Sequence, residues 1–151
     1  MIDTGRIRHD VLGFLFDTES PRVLLVREPC GAGAEQLVGI HGSIEDGEEP
    51  GSAMRRVFLH AVHVELDSAP FCIAGGPRYR WHCFAARHDL NACRLFFHAR
   101  RWEIADVDCL PSAAATWTRW LVALALDPSA RGLIAYHVET ATLVEQALGA
   151  C

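Results

Sequence analysis

Residues 42–64 constrain the fold of this chain more than any other stretch, because an acidic loop runs directly into an amphipathic helix. The loop, residues 42–49, is polar and turn-like and contains Glu45, Asp46, Glu48 and Glu49. At roughly 100° per residue the apolar residues that follow cover one broad arc: Ala53, Met54, Val57, Phe58, Ala61, Val62 and Val64. The pattern predicts a helix from about residue 51 to residue 64, with Arg55, Arg56 and His63 on its polar side.

Short apolar segments on both sides of this unit have the composition of β-strands. The predicted strands are residues 11–16, 23–26, 36–41, 71–74 and 79–84, with turn-forming residues between several of them, and a mixed stretch that ends at residues 102–104 follows. Pro111 opens a second amphipathic helix, residues 112–126, and the helical spacing of Leu143, Val144 and Leu148 predicts a third. This order predicts an α/β fold of the α+β sandwich kind, in which a mixed β-sheet is flanked by helices.

The length and charge of the chain narrow the range of functions. At 151 residues it has the usual size of one domain, and we expect residues 1–151 to form that single domain. The formal net charge is -5 and the pI is about 5.9, whereas a protein that binds duplex nucleic acid needs a basic surface to displace counterions. We therefore expect no duplex nucleic acid partner.

The six Cys residues are scattered without the CxxC or CxxH spacing of a zinc or redox motif. This pattern favours free thiols in a reducing compartment.

The first ten residues lack the apolar core of a signal peptide, and the apolar run at residues 120–126 is far shorter than a membrane span. Together these features predict a cytoplasmic protein without a membrane partner.

The acidic loop and its helix resemble the Nudix box, whose pattern is G-x5-E-x7-R-E-U-x-E-E-x-G-U with U an apolar residue. Gly42, Glu48 and Arg56 stand at the first glycine, the first glutamate and the arginine of that pattern. Residues 101–111 resemble the tryptophan-bearing strand, acidic turn and Leu-Pro step that precede the last helix of many Nudix (MutT-like) proteins. The resemblance spans roughly residues 8–126 and implies the Nudix fold.

The resemblance also implies that the three matching residues serve the fold. Gly42 is expected to provide a backbone conformation at the loop entry that is costly for other residues. Glu48 and Arg56 are expected to pair and to pin the loop against the helix, so that the loop keeps its shape without a metal ion.

The box is degenerate at the positions that would carry the chemistry. Nudix enzymes hydrolyse nucleoside diphosphates linked to another group, and the glutamates of the R-E-U-x-E-E stretch bind divalent metal or assist the base. Val57, His60 and Ala61 stand at those positions, and His63 replaces the second glycine. Because magnesium requires oxygen ligands, we expect no metal cofactor and a catalytically impaired protein.

Two alternative metal sites stay open at this point. An active protein can rebuild a site for magnesium or another divalent metal from Glu45, Glu48 and His60, with Glu48 as the catalytic candidate. Alternatively, His41, His60 and His63 can approach the former metal position and bind a transition ion. A solvated acidic loop and histidines on the polar edge of a helix are the simpler interpretations of these two groups.

Arginine and aromatic residues interleave in the second half of the chain. Arg78, Arg80, Trp81 and Trp102 are candidates for gripping a diphosphate and stacking a base. Tryptophans at strand positions are also typical of a core. The candidate partner is a nucleotide or another small molecule that contains phosphate.

Three classes of function agree with these features. The first is an impaired Nudix homologue retained for binding a nucleotide or another ligand. The second is an active metal-dependent pyrophosphohydrolase with the rebuilt metal site. The third is an assembly protein, including a homodimer, in which the helix face of Ala53, Val57 and Ala61 packs against a partner.

Overall fold

The computed structural model describes residues 5–75, 78–93, 101–130 and 134–135. Its strands are β1 (Arg8–Asp17), β2 (Arg22–Pro29), β3 (Glu35–Val38), β4 (Ile40–Ser43), β5 (Ala69–Gly75), β6 (Tyr79–His88), β7 (Trp102–Asp106) and β8 (Ile134–Ala135). Its α-helices are α1 (Pro50–Val62) and α2 (Thr116–Leu126), and a turn of 3-10 helix follows at Pro128–Ala130. The predicted mixed sheet with helices is confirmed. The helix predicted around Leu143 lies outside the described residues.

Two predicted elements differ from the observed ones at identifiable residues. The strand predicted over residues 36–41 is two strands, because the chain changes partner at Gly39 from β2 to β1. A Cβ atom on Gly39 would lie 2.9 Å from the carbonyl oxygen of Gly13, so a larger residue would collide with β1. The second helix begins at Thr116, after a turn in which the N–H of Ala114 donates to the carbonyl of Pro111.

β1 is the central strand of the sheet, whose order among the described residues is β3-β2-β1-β6-β5-β8. β6 runs parallel to β1 along its whole length. The other edge of β1 has two partner strands. Leu15 and Phe16 pair with β2, and residues 10–13 pair with β4. β7 pairs with β2 and brings Trp102 opposite Val26. The start of the acidic loop therefore lies along β1, whereas the tryptophan strand lies along β2, the neighbour of β1.

The alternation of side chains along β1 divides the core into two clusters. Leu12, Phe14 and Phe16 belong to a cluster with α2, which we call the α2-side cluster. Val11 and Leu15 belong to a cluster with α1, which we call the α1-side cluster. Burial on both faces explains why the apolar run in β1 is almost unbroken. The described helices are all too short or too polar to cross a membrane.

The ends of α1 have local causes in the sequence. Pro50 occupies the first turn, where its missing N–H costs nothing and its fixed φ suits a helix. At the other end His63 adopts a left-handed conformation, φ 56 and ψ 30, and its N–H donates to the carbonyl of Leu59 at 2.9 Å. Glycine reaches this conformation without steric cost. His63 therefore adds backbone strain at the helix end.

We predict that His63→Gly stabilises the protein by about 0.5–1 kcal/mol, because glycine relieves the left-handed helix end. His60→Gly is the matched control within the last turn of α1, and it should destabilise the protein by about 0.5–1 kcal/mol. Urea unfolding followed by circular dichroism measures both changes. Destabilisation of equal size by the two variants would show that the His63 conformation carries no strain.

Candidate functional site

Glu48 and Arg56 close the box loop, residues 42–49, onto α1. Arg56 donates from Nε to Oε1 of Glu48 at 3.0 Å and from Nη2 to Oε2 at 2.9 Å. Oε2 also accepts the backbone N–H of Glu45 at 3.0 Å. Nη2 of Arg56 donates in addition to the carbonyl of Ser43 at 2.8 Å. The predicted ion pair is therefore present, and one helical side chain is tied to two separate points of the loop.

These hydrogen bonds shift the pKa of both partners. The bonds from Arg56 and from the Glu45 backbone lower the pKa of Glu48 below its ordinary value. The bond to Glu48 raises the pKa of Arg56, although partial burial opposes this effect. The Glu48 side chain is 17% exposed, so water screens the pair less than it screens a fully exposed one. Both groups are charged at neutral pH, and both carboxylate oxygens are engaged.

Gly42 has a different role from the one predicted. Its φ lies outside the left-handed region, so the expected special backbone conformation is wrong. A Cβ atom on Gly42 would lie 2.6 Å from Cγ2 of Val57. Glycine is needed here because β4 packs directly against α1. The left-handed conformation belongs instead to Gly47, whose φ is 79.

Val57, His60 and Ala61 line a cavity of about 390 Å³, which we call the α1 cavity. The strand residues and the remaining helix residue around it are Val26, Glu28, Ile40, His41, Gly42, Arg56 and Trp102. Val57 is 8% exposed and belongs to the α1-side cluster. The walls of the cavity are mainly apolar because Val26, Ile40, Val57, Ala61 and Trp102 contribute to them. Trp102 is half-buried.

A polar pair that the sequence analysis missed lies at the α1 cavity. Nε2 of His41 is 2.6 Å from Oε1 of Glu28, and the His41 ring lies edge-on to Trp81 with centroids 5.8 Å apart. His60 lines the same cavity from the helix, whereas His63 does not line it. Only two of the three predicted histidines thus face one space. Glu28 carried no sequence signal, because its pairing with His41 depends on strand order.

The structure does not bring Glu45, Glu48 and His60 together. Glu45 and Glu48 line a second cavity of about 630 Å³, while His60 lines the α1 cavity. Within the described ranges, no group of three or more His, Cys, Asp or Glu side chains is placed to hold a metal ion.

His9 and His82 also line the second cavity, with Nδ1 and Nε2 3.1 Å apart. This pair was missed as well, because it joins distant parts of the chain.

The sheet separates the two tryptophans predicted to bind a ligand. Trp81 is 7% exposed and stacks on Trp117 in the α2-side cluster, with ring centroids 6.4 Å apart. Trp102 packs against the α1-side cluster and lines the α1 cavity.

The two arginines predicted to bind a ligand lie elsewhere. Arg78 is exposed, and Arg80 is half-buried and donates to the carbonyl of Tyr79 at 3.1 Å. Of the four candidates, Trp102 is the one that lines the α1 cavity.

No family model and no curated protein matches this chain. Solved structures do resemble it. A Nudix-family hydrolase from Clostridium perfringens has a TM-score of 0.64 and 14% identity, covering 81% of this chain and 97% of its own. The MutT protein of Bacillus halodurans has a TM-score of 0.63 and 16% identity, with coverage of 89% and 93%. The chain has the Nudix fold.

A third Nudix-fold neighbour is named for its reaction. The dihydroneopterin triphosphate pyrophosphohydrolase of E. coli has a TM-score of 0.57 and 14% identity, covering 78% of this chain and 94% of its own. At identities this low the likeness concerns the fold, and the chemistry depends on the residues of this chain.

We predict that Arg56→Ala destabilises the protein by more than the about 0.2–1 kcal/mol typical of an exposed ion pair, because it releases the box loop. Arg55→Ala is the matched control on the same helix. Arg55 lies 3.7 Å from Asp67 in an exposed pair, so its removal should change little. Chemical denaturation measures both variants. Equal free energies of unfolding for the two would contradict the structural role of Arg56.

Acid titration tests the same pair independently. The folded-state pKa of Glu48 is lowered, so its contribution to stability is present above its unfolded pKa and is lost as the pH falls through the folded value. Wild-type protein should therefore lose stability more steeply than Arg56→Ala below about pH 4.5. Thermal unfolding as a function of pH measures this difference, and parallel curves would contradict it.

Proposed function

We propose that this chain is a cytoplasmic Nudix-fold domain, extending over residues 1–151, that binds a small molecule in the α1 cavity without metal-dependent hydrolysis. One observation carries the proposal. The side chains at the positions that the box pattern assigns to catalytic carboxylates are Val57, His60 and Ala61, and all three face the α1 cavity.

The donor set does not fit the magnesium ion that the Nudix resemblance implies. Val57 and Ala61 have no donor atom, and a hard cation such as magnesium prefers oxygen to the imidazole of His60. Glu48 is the box carboxylate that is kept, but its oxygens are engaged by Arg56 and by the backbone of Glu45. A metal that clamps phosphate and activates water contributes several kcal/mol to a transition state. We therefore infer that hydrolysis is slower by orders of magnitude than in a Nudix enzyme.

The α1 cavity has the size and chemistry of a ligand site. Its volume of about 390 Å³ lies within the range of about 300–1,000 Å³ typical of small-molecule pockets. Trp102 offers an aromatic face, and the polar groups of Glu28, His41 and His60 can orient a ligand by hydrogen bonds. A heteroaromatic phosphate, such as a nucleotide, is the class we propose, which agrees with the name of the E. coli neighbour.

The helix face that suggested an assembly protein is used inside the molecule. Ala53 is fully buried and Val57 is 8% exposed, both within the α1-side cluster. Ala61 is half-buried at the α1 cavity. This packing favours ligand binding over the interpretation in which the same face covers a partner.

Ligand screening with a cavity variant tests the proposal. Nucleoside mono-, di- and triphosphates are added to the protein, and the melting temperature is measured with and without magnesium, manganese or zinc. A ligand that binds should raise the melting temperature of wild type, and Trp102→Ala should abolish the rise. Trp120→Ala is the matched control, because Trp120 is 37% exposed on α2 and lies outside the α1 cavity.

The same samples are assayed for product release. We expect none at enzymatic rates with any of the three metals. Metal-dependent turnover that is lost in Glu48→Gln would contradict the proposal and favour the rebuilt site of Glu45, Glu48 and His60. The absence of any ligand whose effect depends on Trp102 would contradict the binding function itself.

Restoring the carboxylates tests whether only the ligands are lacking. We predict that Val57→Glu, His60→Glu and Ala61→Glu together lower stability without metal, because three added carboxylates repel each other. Magnesium should then raise the melting temperature of this variant, but not that of wild type. Ser52→Glu, Arg55→Glu and Leu59→Glu place three carboxylates on exposed positions of α1 and should show no magnesium response.

Isothermal calorimetry measures the affinity directly. If the folded triple variant at residues 57, 60 and 61 binds no magnesium, the alignment of Gly42, Glu48 and Arg56 to the Nudix box is wrong. The control variant separates a specific site from a general attraction between magnesium and an acidic helix.

A further inference from the structure

Cys72 and Cys83 lie directly opposite each other on the antiparallel strands β5 and β6. Facing Cα atoms in such a ladder are about 4.5–5.5 Å apart, whichever type of pair they form. A disulfide bond accommodates Cα separations of about 4.4–6.8 Å. The register alone therefore places these two residues within the range that a disulfide requires.

The two thiols also point into the same part of the core. Both residues are 0% exposed and belong to the α2-side cluster. The register shifts between Pro70 and Cys72, and the bulge lets neighbouring Phe71 and Cys72 both reach that cluster. Sγ of Cys83 donates to the carbonyl of Trp81 at 3.7 Å, and interaction with the Cys72 thiol, together with burial, raises the pKa of Cys83 well above its ordinary value. The register and the shared cluster thus place the two thiols on the same face of the ladder in the reduced protein.

We propose that Cys72 and Cys83 are an oxidation site, at which a low-molecular-weight disulfide converts the two buried thiols into a reversible cross-strand bond between β5 and β6. The site is independent of the α1 cavity, because it lies on the other side of the sheet. In its reduced form the pair packs as two small core residues. In its oxidised form it links the two strands covalently.

The reaction balances as two thiol–disulfide exchanges. The thiolate of one cysteine attacks the small disulfide, forms a mixed disulfide and releases one small thiolate. The second cysteine thiolate then attacks the protein sulfur of the mixed disulfide, forms the Cys72–Cys83 bond and releases the second small thiolate. Two electrons pass to the small disulfide, and the two thiol protons end on the released thiols.

Burial sets the rate of this reaction. Thiolate is the attacking species, and a fully buried thiol of raised pKa supplies very little of it. Oxidation therefore requires local opening of the β5 edge. In the described chain the outer neighbour of β5 is the two-residue strand β8, with Cys72 opposite Ile134. Opening of so short a pairing costs less than global unfolding.

The experiment uses the reduced full-length protein with oxidised glutathione, at temperatures that rise towards but stay below the melting transition. Free thiols are then alkylated and the peptides are mapped by mass. We expect the peptides of Cys72 and Cys83 to be joined, with the mass of two hydrogens lost, and to separate after reduction by dithiothreitol. The oxidised protein should melt about 3–8 °C higher than the reduced protein, because the bond restricts the unfolded chain.

Single variants provide the controls. In Cys72→Ser the partner Cys83 can form only a mixed disulfide with glutathione, whereas Cys93→Ser and Cys109→Ser should cross-link like wild type. If Cys72→Ser does not fold, the peptide map of wild type still decides. Three results would each overturn the proposal. They are separate glutathione adducts on Cys72 and Cys83, alkylation of both residues without any cross-link, and a lower melting temperature after oxidation.

Discussion

The hydrogen-bonded ion pair between Glu48 and Arg56 is the interaction on which the arrangement of the candidate site depends. It fixes the box loop through Glu45 and Ser43 as well as through its own two side chains. A charge pair of this kind holds a loop without a metal ion, provided that both hydrogen-bond partners are engaged. Next to this loop, Gly42 lets the strand β4 lie directly against Val57 of α1.

Most of the fold follows from periodicity in the sequence. The apolar arc predicted α1 to within a few residues, since a buried helical face has a spacing that no strand shares. Gly39 escaped the prediction because a change of strand partner leaves no local signal. The role of Gly42 was wrong for a related reason, since a close approach between two elements is a tertiary contact. Val57, the residue that Gly42 contacts, lies on a different element, the helix α1.

The candidate site was predicted only in part, and the missing part depends on register. The pairing of Glu48 with Arg56 is local, so the box pattern was enough to indicate it. The pairing of Glu28 with His41 and the facing of Cys72 and Cys83 depend on which strands are neighbours. Trp81 and Trp102 illustrate the same limit, because similar composition did not reveal that they lie in different clusters.

The long parallel pairing of β1 with β6 has a consequence for synthesis of the chain. β1 leaves the ribosome early, but its pairing continues to His88, at the end of β6. At elongation rates of about 5–20 residues per second, roughly 4–14 s pass between the two strands. During that time β1, an apolar strand that is buried on both faces in the folded protein, has no partner along the edge that later pairs with β6. The nascent chain is therefore exposed to self-association in this interval, and a chaperone that covers β1 would raise the yield of folded protein.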